Sequence, residues 1–199
     1  MKTLKLNQGK RQLFALLALG AACLAGTALA GNPSEQYGWL QQLEGDWVLA
    51  PTQEGEAAKH PVIAPLVGAG KVALSYHLVG SKTTLQENIF PGTPREMSTM
   101  YHCIDKACSR LMADHFCSLK NQPVLRAEPV TESGKLVFSC DPAVAVCASP
   151  DPHLHVLTIE APQGNAGPLK TTFSIRRDGK PAEDLVFLFD RKRAASPNR

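Results

Sequence analysis

Beyond its first 30 residues the chain has no apolar run long enough to cross a membrane as a helix. It has no G-x-S-x-G elbow, which removes the strand-to-helix nucleophile of the hydrolases. It has no C-x-x-C pair, which weakens a zinc-knuckle reading of its cysteines. It also lacks a real charge excess. The formal net charge of +3 arises from 21 basic and 18 acidic residues. Four of the basic residues, Lys2, Lys5, Lys10 and Arg11, lie in the first 30 residues, which contain no acid. The remainder therefore carries 17 basic against 18 acidic residues, a net charge near −1, and gives no support for a nucleic-acid partner. Repeats and low-complexity stretches are absent as well.

The chain opens with a recognisable leader. The basic cluster precedes an apolar core at Leu13–Ala25, and Ala28-Leu29-Ala30 supplies a small-x-small cleavage signal before Gly31. This pattern predicts a secretory signal peptide over residues 1–30 and a periplasmic or secreted protein. Cys23 raises a lipoprotein alternative, but Gly20 stands where a lipidated cysteine usually has leucine. Export implies an oxidising compartment, where disulfides are the default. Cys103 and Cys108 flank one short loop, and Cys140 and Cys147 another, so each pair is expected to bond locally. Cys117 is left over, and is read as a small buried hydrophobe.

Residues 31–193 fit one domain, and 194–199 read as a disordered polar tail. Ser34 is a candidate cap for a short helix running to about Leu43. Gly45-Asp46-Trp47 then begins a strand, and Gln53–Gly70 reads as a long loop. Four strands are expected in Lys71–Cys117, followed by Val124–Glu128, Lys135–Cys140, His153–Glu160, Leu169–Arg177 and Asp184–Arg191. About ten strands linked mainly as sequential hairpins predict an all-β fold, an antiparallel up-and-down barrel behind a short N-terminal helix. Such a barrel is wide enough to hold one small ligand.

The turns between Lys71 and Pro123 are short enough to suggest how the strands pair. Val72, Leu74, Tyr76 and Leu78 alternate with polar or small residues, the pattern of a half-buried strand. A two-residue turn at Gly80-Ser81 places Leu74 opposite Glu87. A four-residue loop at Pro91–Pro94 sets Glu87 opposite Ser98, Leu85 opposite Met100 and Thr83 opposite His102. Pairing Cys103 with Cys108 or with Arg110 then groups Ser98, Met100 and His102 with Leu111, Ala113, His115 and Cys117. The outcome is an inward row of Glu87, Ser98 and His115, with Tyr76, Met100, Leu111 and Ala113 as apolar wall and His102 toward the opposite end. A slip of one residue would turn a strand over and break the row. Two readings stay open: a satisfied internal polar network, or a polar anchor at the base of a ligand pocket. A catalytic triad is disfavoured, because the serine stands between the acid and the imidazole instead of beside the imidazole alone. No catalytic residue is assigned, and the chain is read as a binder of a small, partly apolar molecule.

Gly45-Asp46-Trp47 after a short helix resembles the G-x-W opening of lipocalins and related calycins. The stretch from Glu87 through Met97, then Met100-Tyr101-His102, His115-Phe116-Cys117 and Asn121-Gln122-Pro123, resembles a little-characterised group of bacterial calycin-like proteins. The resemblance covers about Leu43 to Lys192 and is most specific in its middle third. It implies a ligand-binding barrel, with a basic residue on the last strand, Arg191 or Lys192, packed over Trp47. It implies no settled activity. Haem, held by calycin-like barrels in some cases, would need one proximal histidine.

A second chemistry is written in His153-x-His155. On a regular strand both imidazoles share a face with Leu157 and Ile159, and such a pair supplies two ligands of a catalytic-type zinc site, with His115 or Glu87 as a third. The competing readings are therefore a ligand-binding barrel, a zinc- or haem-binding protein or enzyme using His153 and His155 with one further ligand such as His115, and a structural or interaction protein whose barrel is filled by its own side chains.

Overall fold

A computed structural model describes residues 31–130, 132–161 and 167–193. The leader reading, with Cys23, and the tail reading concern residues 1–30 and 194–199, outside the described residues. The chain forms a helix, α1 (Pro33–Gln41), and ten strands: β1 (Gly45–Leu49), β2 (Val72–Val79), β3 (Thr84–Ile89), β4 (Met97–Cys103), β5 (Leu111–Phe116), β6 (Val124–Ala127), β7 (Lys135–Cys140), β8 (His153–Glu160), β9 (Leu169–Arg177) and β10 (Lys180–Arg191). A single helical turn, α2 (Ala145–Ala148), sits between β7 and β8. Every strand pairs antiparallel with its sequence neighbours, and β10 pairs back onto β1, closing an up-and-down barrel. Closure leaves no edge strand exposed for pairing with another chain.

Helix α1 closes one end of the barrel. Asn32, and not Ser34, caps it: its side chain accepts from Glu35 N–H while the Glu35 carboxylate accepts from Asn32 N–H. This reciprocal pairing satisfies two otherwise orphaned donors, and Pro33 follows at a position where proline loses no hydrogen bond. Leu40 and Leu43 are buried in the core. Arg191 fixes the seam. Its guanidinium lies 4.4 Å over Trp47 and donates to the carbonyls of Glu44 and Gln42 at 2.8 and 2.9 Å. Of the two basic residues that the calycin likeness left open, Arg191 is the one in place.

Three turns differ from the sequence expectation, and the differences decide what faces inward. The β2–β3 turn spans Gly80–Thr83, because Val79 pairs with Thr84. The extra two residues carry the Lys82 carbonyl to α1, where Tyr37 and Gln41 both donate to it. A shift of two leaves the faces unchanged, but Glu87 now stands opposite Tyr76. The β3–β4 loop occupies Phe90–Glu96, because Ile89 pairs with Met97. Phe90 leaves the ladder with a φ of 53°, and the Glu96 carboxylate captures Gly92 N–H. This odd shift turns β4 over. In the β4–β5 hairpin Cys103 pairs with Leu111, and a second odd shift cancels the first for β5.

Both local disulfides are present, Cys103–Cys108 and Cys140–Cys147, and Cys117 is unbridged. Denatured, non-reduced protein beginning at Gly31 is therefore expected to titrate one thiol per chain with Ellman's reagent; three or more would refute the pairing. Replacing Arg191 by Met should remove about 1.5–3 kcal/mol of stability, as expected for loss of charge-assisted hydrogen bonds, read from urea unfolding at constant m-value.

Candidate ligand-binding site

The two register shifts install a different middle to the polar row. Thr99, not Ser98, stands between Glu87 and His115, since Glu87 pairs with Thr99 and Thr99 with His115. Ser98 lies on the outer side, its hydroxyl within hydrogen-bonding distance of both the Glu87 carbonyl and Asn88 Oδ1. Met100 and His102 are likewise turned outward with β4. His102 Nε2 lies 3.2 Å from Asp114 on the outer surface. Tyr76, Glu87, Leu111, Ala113 and His115 are inside and buried, and Tyr101 joins them. Thr99 and Tyr101 alternate in the sequence as clearly as Ser98 and Met100 do, so only the loop geometry distinguishes the two faces.

Glu87 is the centre of this network. Its Oε2 accepts from the hydroxyls of Tyr76 and Tyr101, each at 2.8 Å, and its Oε1 from Thr99 Oγ1 at 3.1 Å. Burial raises the Glu87 pKa above the usual carboxylate value, and the hydrogen bonds from Tyr101, Tyr76 and Thr99 oppose that rise. Burial, and then the facing carboxylate, push both tyrosines well above their ordinary value, which keeps them neutral donors. Thr99 Oγ1 also meets His115 Nδ1 at 2.9 Å. Burial lowers the His115 pKa to about 4. The other ring nitrogen, Nε2, is buried and has no hydrogen-bond partner among the described residues.

His115 forms part of the lining of a cavity of about 470 Å³ at the barrel end opposite α1, within the range typical of small-molecule sites. Phe90, Leu154, Phe173, Ile175 and Phe187 supply apolar wall, and Cys117 lies near the mouth, its thiol pKa raised by burial. Phe187 packs edge-on against Phe90 with centroids 5.0 Å apart, and Phe173 lies 6.2 Å from the His115 ring. The loop after β1 roofs part of the mouth through Ala57–Lys59 and Ile63. There His60 Nε2 lies 3.0 Å from Arg95 Nη2. The walls from β9 and β10 escaped the sequence reading because only closure brings Phe173 and Phe187 across from His115.

The histidine pair of β8 lies elsewhere. The strand bulges between Leu154 and Val156, so Leu154, which pairs with Ile175, faces the interior with Leu157 and Ile159. His153 pairs with Arg176 on the outer side. His153 Nδ1 lies 2.7 Å from the Asp151 carbonyl, and Nε2 lies 3.2 Å from His155 Nδ1. Arg176 Nη1 lies 3.2 Å from the remaining His155 nitrogen. The set His153, His155 and His115 is thus divided between the two faces of the barrel wall. Cys140 Sγ is within 4.8 Å of both outer imidazoles, but it is bonded to Cys147 and offers no thiolate. With the disulfide formed, this group presents two nitrogen ligands, beside a guanidinium, and does not fit a three-ligand zinc site.

Compared with protein-family models, curated proteins and solved structures, the chain matches none.

Replacing Tyr101 by Phe keeps the ring but deletes one donor to Glu87, so urea unfolding should register a loss of about 1.5–3 kcal/mol. His115 predicts a pH dependence of defined sign. Its folded pKa of about 4 lies below the unfolded value near 6.5, so its contribution is fully present above pH 6.5 and lost as pH falls toward 4. The stability difference between wild type and His115→Gln should therefore shrink by roughly 3 kcal/mol across that window. A constant difference would refute a buried neutral imidazole.

Proposed function

We propose that the protein is an exported binding barrel that takes a small, partly apolar molecule into the cavity beneath the Ala57–Lys59 loop. The observation that carries this reading is that His115, whose buried Nε2 has no hydrogen-bond partner among the described residues, is a lining residue of an otherwise largely apolar cavity. Buried polar atoms are almost always satisfied, so an orphan in a cavity wall marks a place where a ligand or water completes the site. The volume of about 470 Å³ argues against a barrel filled by its own side chains. Two disulfides agree with an oxidising compartment, and the leader-like N-terminus with export. The likeness to calycins at Gly45-Asp46-Trp47 and in the middle third favours the same reading.

The unbridged Cys117 thiol lines the same cavity as the imidazole, but burial raises its pKa and disfavours the nucleophilic thiolate. Ser98 is outside, and Thr99 is engaged by both Glu87 and His115. Binding, and not covalent catalysis, is what this set of residues supports.

Native mass spectrometry of protein taken from the periplasm, with elemental analysis and an absorption spectrum, tests the proposal. A co-purifying organic mass without metal is expected. Bare protein should enhance the emission of 1-anilinonaphthalene-8-sulfonate, and Leu154→Trp, which fills the cavity, should abolish the enhancement. A haem band, stoichiometric zinc, or dye emission indifferent to Leu154→Trp would overturn it.

A further inference from the structure

The hydroxyl of Thr99 has one proton and two neighbours that compete for it, Glu87 Oε1 at 3.1 Å and His115 Nδ1 at 2.9 Å. Which neighbour receives it determines the state of the imidazole. If Thr99 donates to Glu87, His115 must hold its proton on Nδ1 to donate to Thr99, and Nε2 is a bare acceptor. If Thr99 donates to His115, the proton sits on Nε2, and that nitrogen is a donor. The two tyrosines settle the choice at the carboxylate. Both hydroxyls converge on Oε2, and neither makes a hydrogen bond to another acceptor among the described residues, so Oε2 carries no proton. With Oε2 bare and accepting from two hydroxyls, the carboxyl group is taken as the anion, whose Oε1 can only accept and so receives the Thr99 proton.

We infer that His115 is fixed as the Nδ1–H tautomer and that the cavity floor is a hydrogen-bond acceptor, so the ligand is an apolar molecule bearing a hydroxyl-type donor at its inner end. This deepens the binding proposal above and rests on it. It selects phenols and alcohols over ethers and ketones of the same shape. His115 is neutral near pH 7, as its lowered pKa requires, so the pairing is between neutral groups and adds little long-range attraction for anions. Selectivity of this kind is strong because an ether leaves Nε2 buried and unpaired. Glu87 touches no ligand; it is a positioning residue that acts through Thr99.

The orientation of the whole relay hangs on one proton, so it can be inverted without changing shape. In Glu87→Gln the carbonyl oxygen is held by the two tyrosine donors, and the amide nitrogen is left facing Thr99. The amide must then donate to Thr99, Thr99 to His115 Nδ1, and the imidazole proton moves to Nε2. The cavity floor becomes a donor.

Long-range proton–nitrogen correlation spectra of ¹⁵N-labelled protein, without ligand, read the tautomer directly. Wild type should show the proton on Nδ1, and Glu87→Gln the proton on Nε2. The probes are 2-naphthol and 2-methoxynaphthalene, titrated calorimetrically into the same proteins. Wild type should prefer the naphthol by about tenfold, the size of one hydrogen bond to a buried group. Glu87→Gln should reduce the preference to parity or reverse it. Should Glu87→Gln not fold, Thr99→Val breaks the same relay at its middle link and should cut the preference at least threefold. An Nε2–H tautomer in wild type, or equal affinity for the two probes, would overturn the inference. Failure of both probes to bind a protein with the Nδ1–H tautomer would overturn the binding reading, and the ligand class with it; the spectra separate the two failures.

Discussion

A carboxylate in the middle of a barrel, with no cation beside it among the described residues, is tolerable only where hydroxyls replace its hydration. Glu87 meets that requirement with Tyr76 from β2, Tyr101 and Thr99 from β4, each within hydrogen-bonding distance. The requirement ties three consecutive strands to one register, because a one-residue slip would present the carboxylate to side chains without donors. It also orders the interior. Thr99 passes the constraint to β5 through His115, so the group that faces the cavity is oriented by an acid it never touches. Among the described residues this network is satisfied everywhere except at its last atom, Nε2 of His115, and His115 lines the cavity.

The barrel ends are built for different tasks. At one end α1, the Trp47 ring and the Arg191 guanidinium lock the helix to the strand pair that closes the cylinder. At the other end the long loop after β1 leans over the opening through the 3-10 turn Ala57–Lys59, and Phe90, Phe173 and Phe187 line the cavity beneath it. A separate polar cluster, the fully buried His153 and the half-buried His155 beside the Cys140–Cys147 disulfide, belongs to the other face of the wall from His115.

How much of this could be read from residues differs from element to element. The strand number, the order of hairpins and both local disulfides follow from alternation, turn residues and cysteine spacing. Glu87 and His115 were placed inside by the same alternation, correctly. The same alternation puts Ser98, Met100 and His102 inside as well, and the structure has them outside, because two loops each differ by an odd number of residues from the simplest turn. Phe90 at a left-handed φ and the Glu96 carboxylate on Gly92 N–H lie behind the first of these shifts, and neither has a sequence signature. The β8 bulge is a similar case. A regular strand would have put His153 and His155 inside, and one extra residue exchanges them for Leu154. Period-2 reasoning is sound along a strand and loses its phase at every irregularity.

What the sequence by itself determined is local: which segments are strands, which cysteines are near enough to bond, and which positions on β2, β3 and β5 are apolar or carry an ionisable group. Those follow from steric alternation and chain length alone. What only the tertiary structure decided is which hydroxyls meet the Glu87 carboxylate and which walls meet His115. Closure of β10 onto β1 brings Phe173 and Phe187, far along the chain, to the other side of the cavity from the β5 imidazole. The pairing of Thr99 with both Glu87 and His115 depends on loop geometries set by side-chain hydrogen bonds and helix contacts, which no alternation pattern encodes.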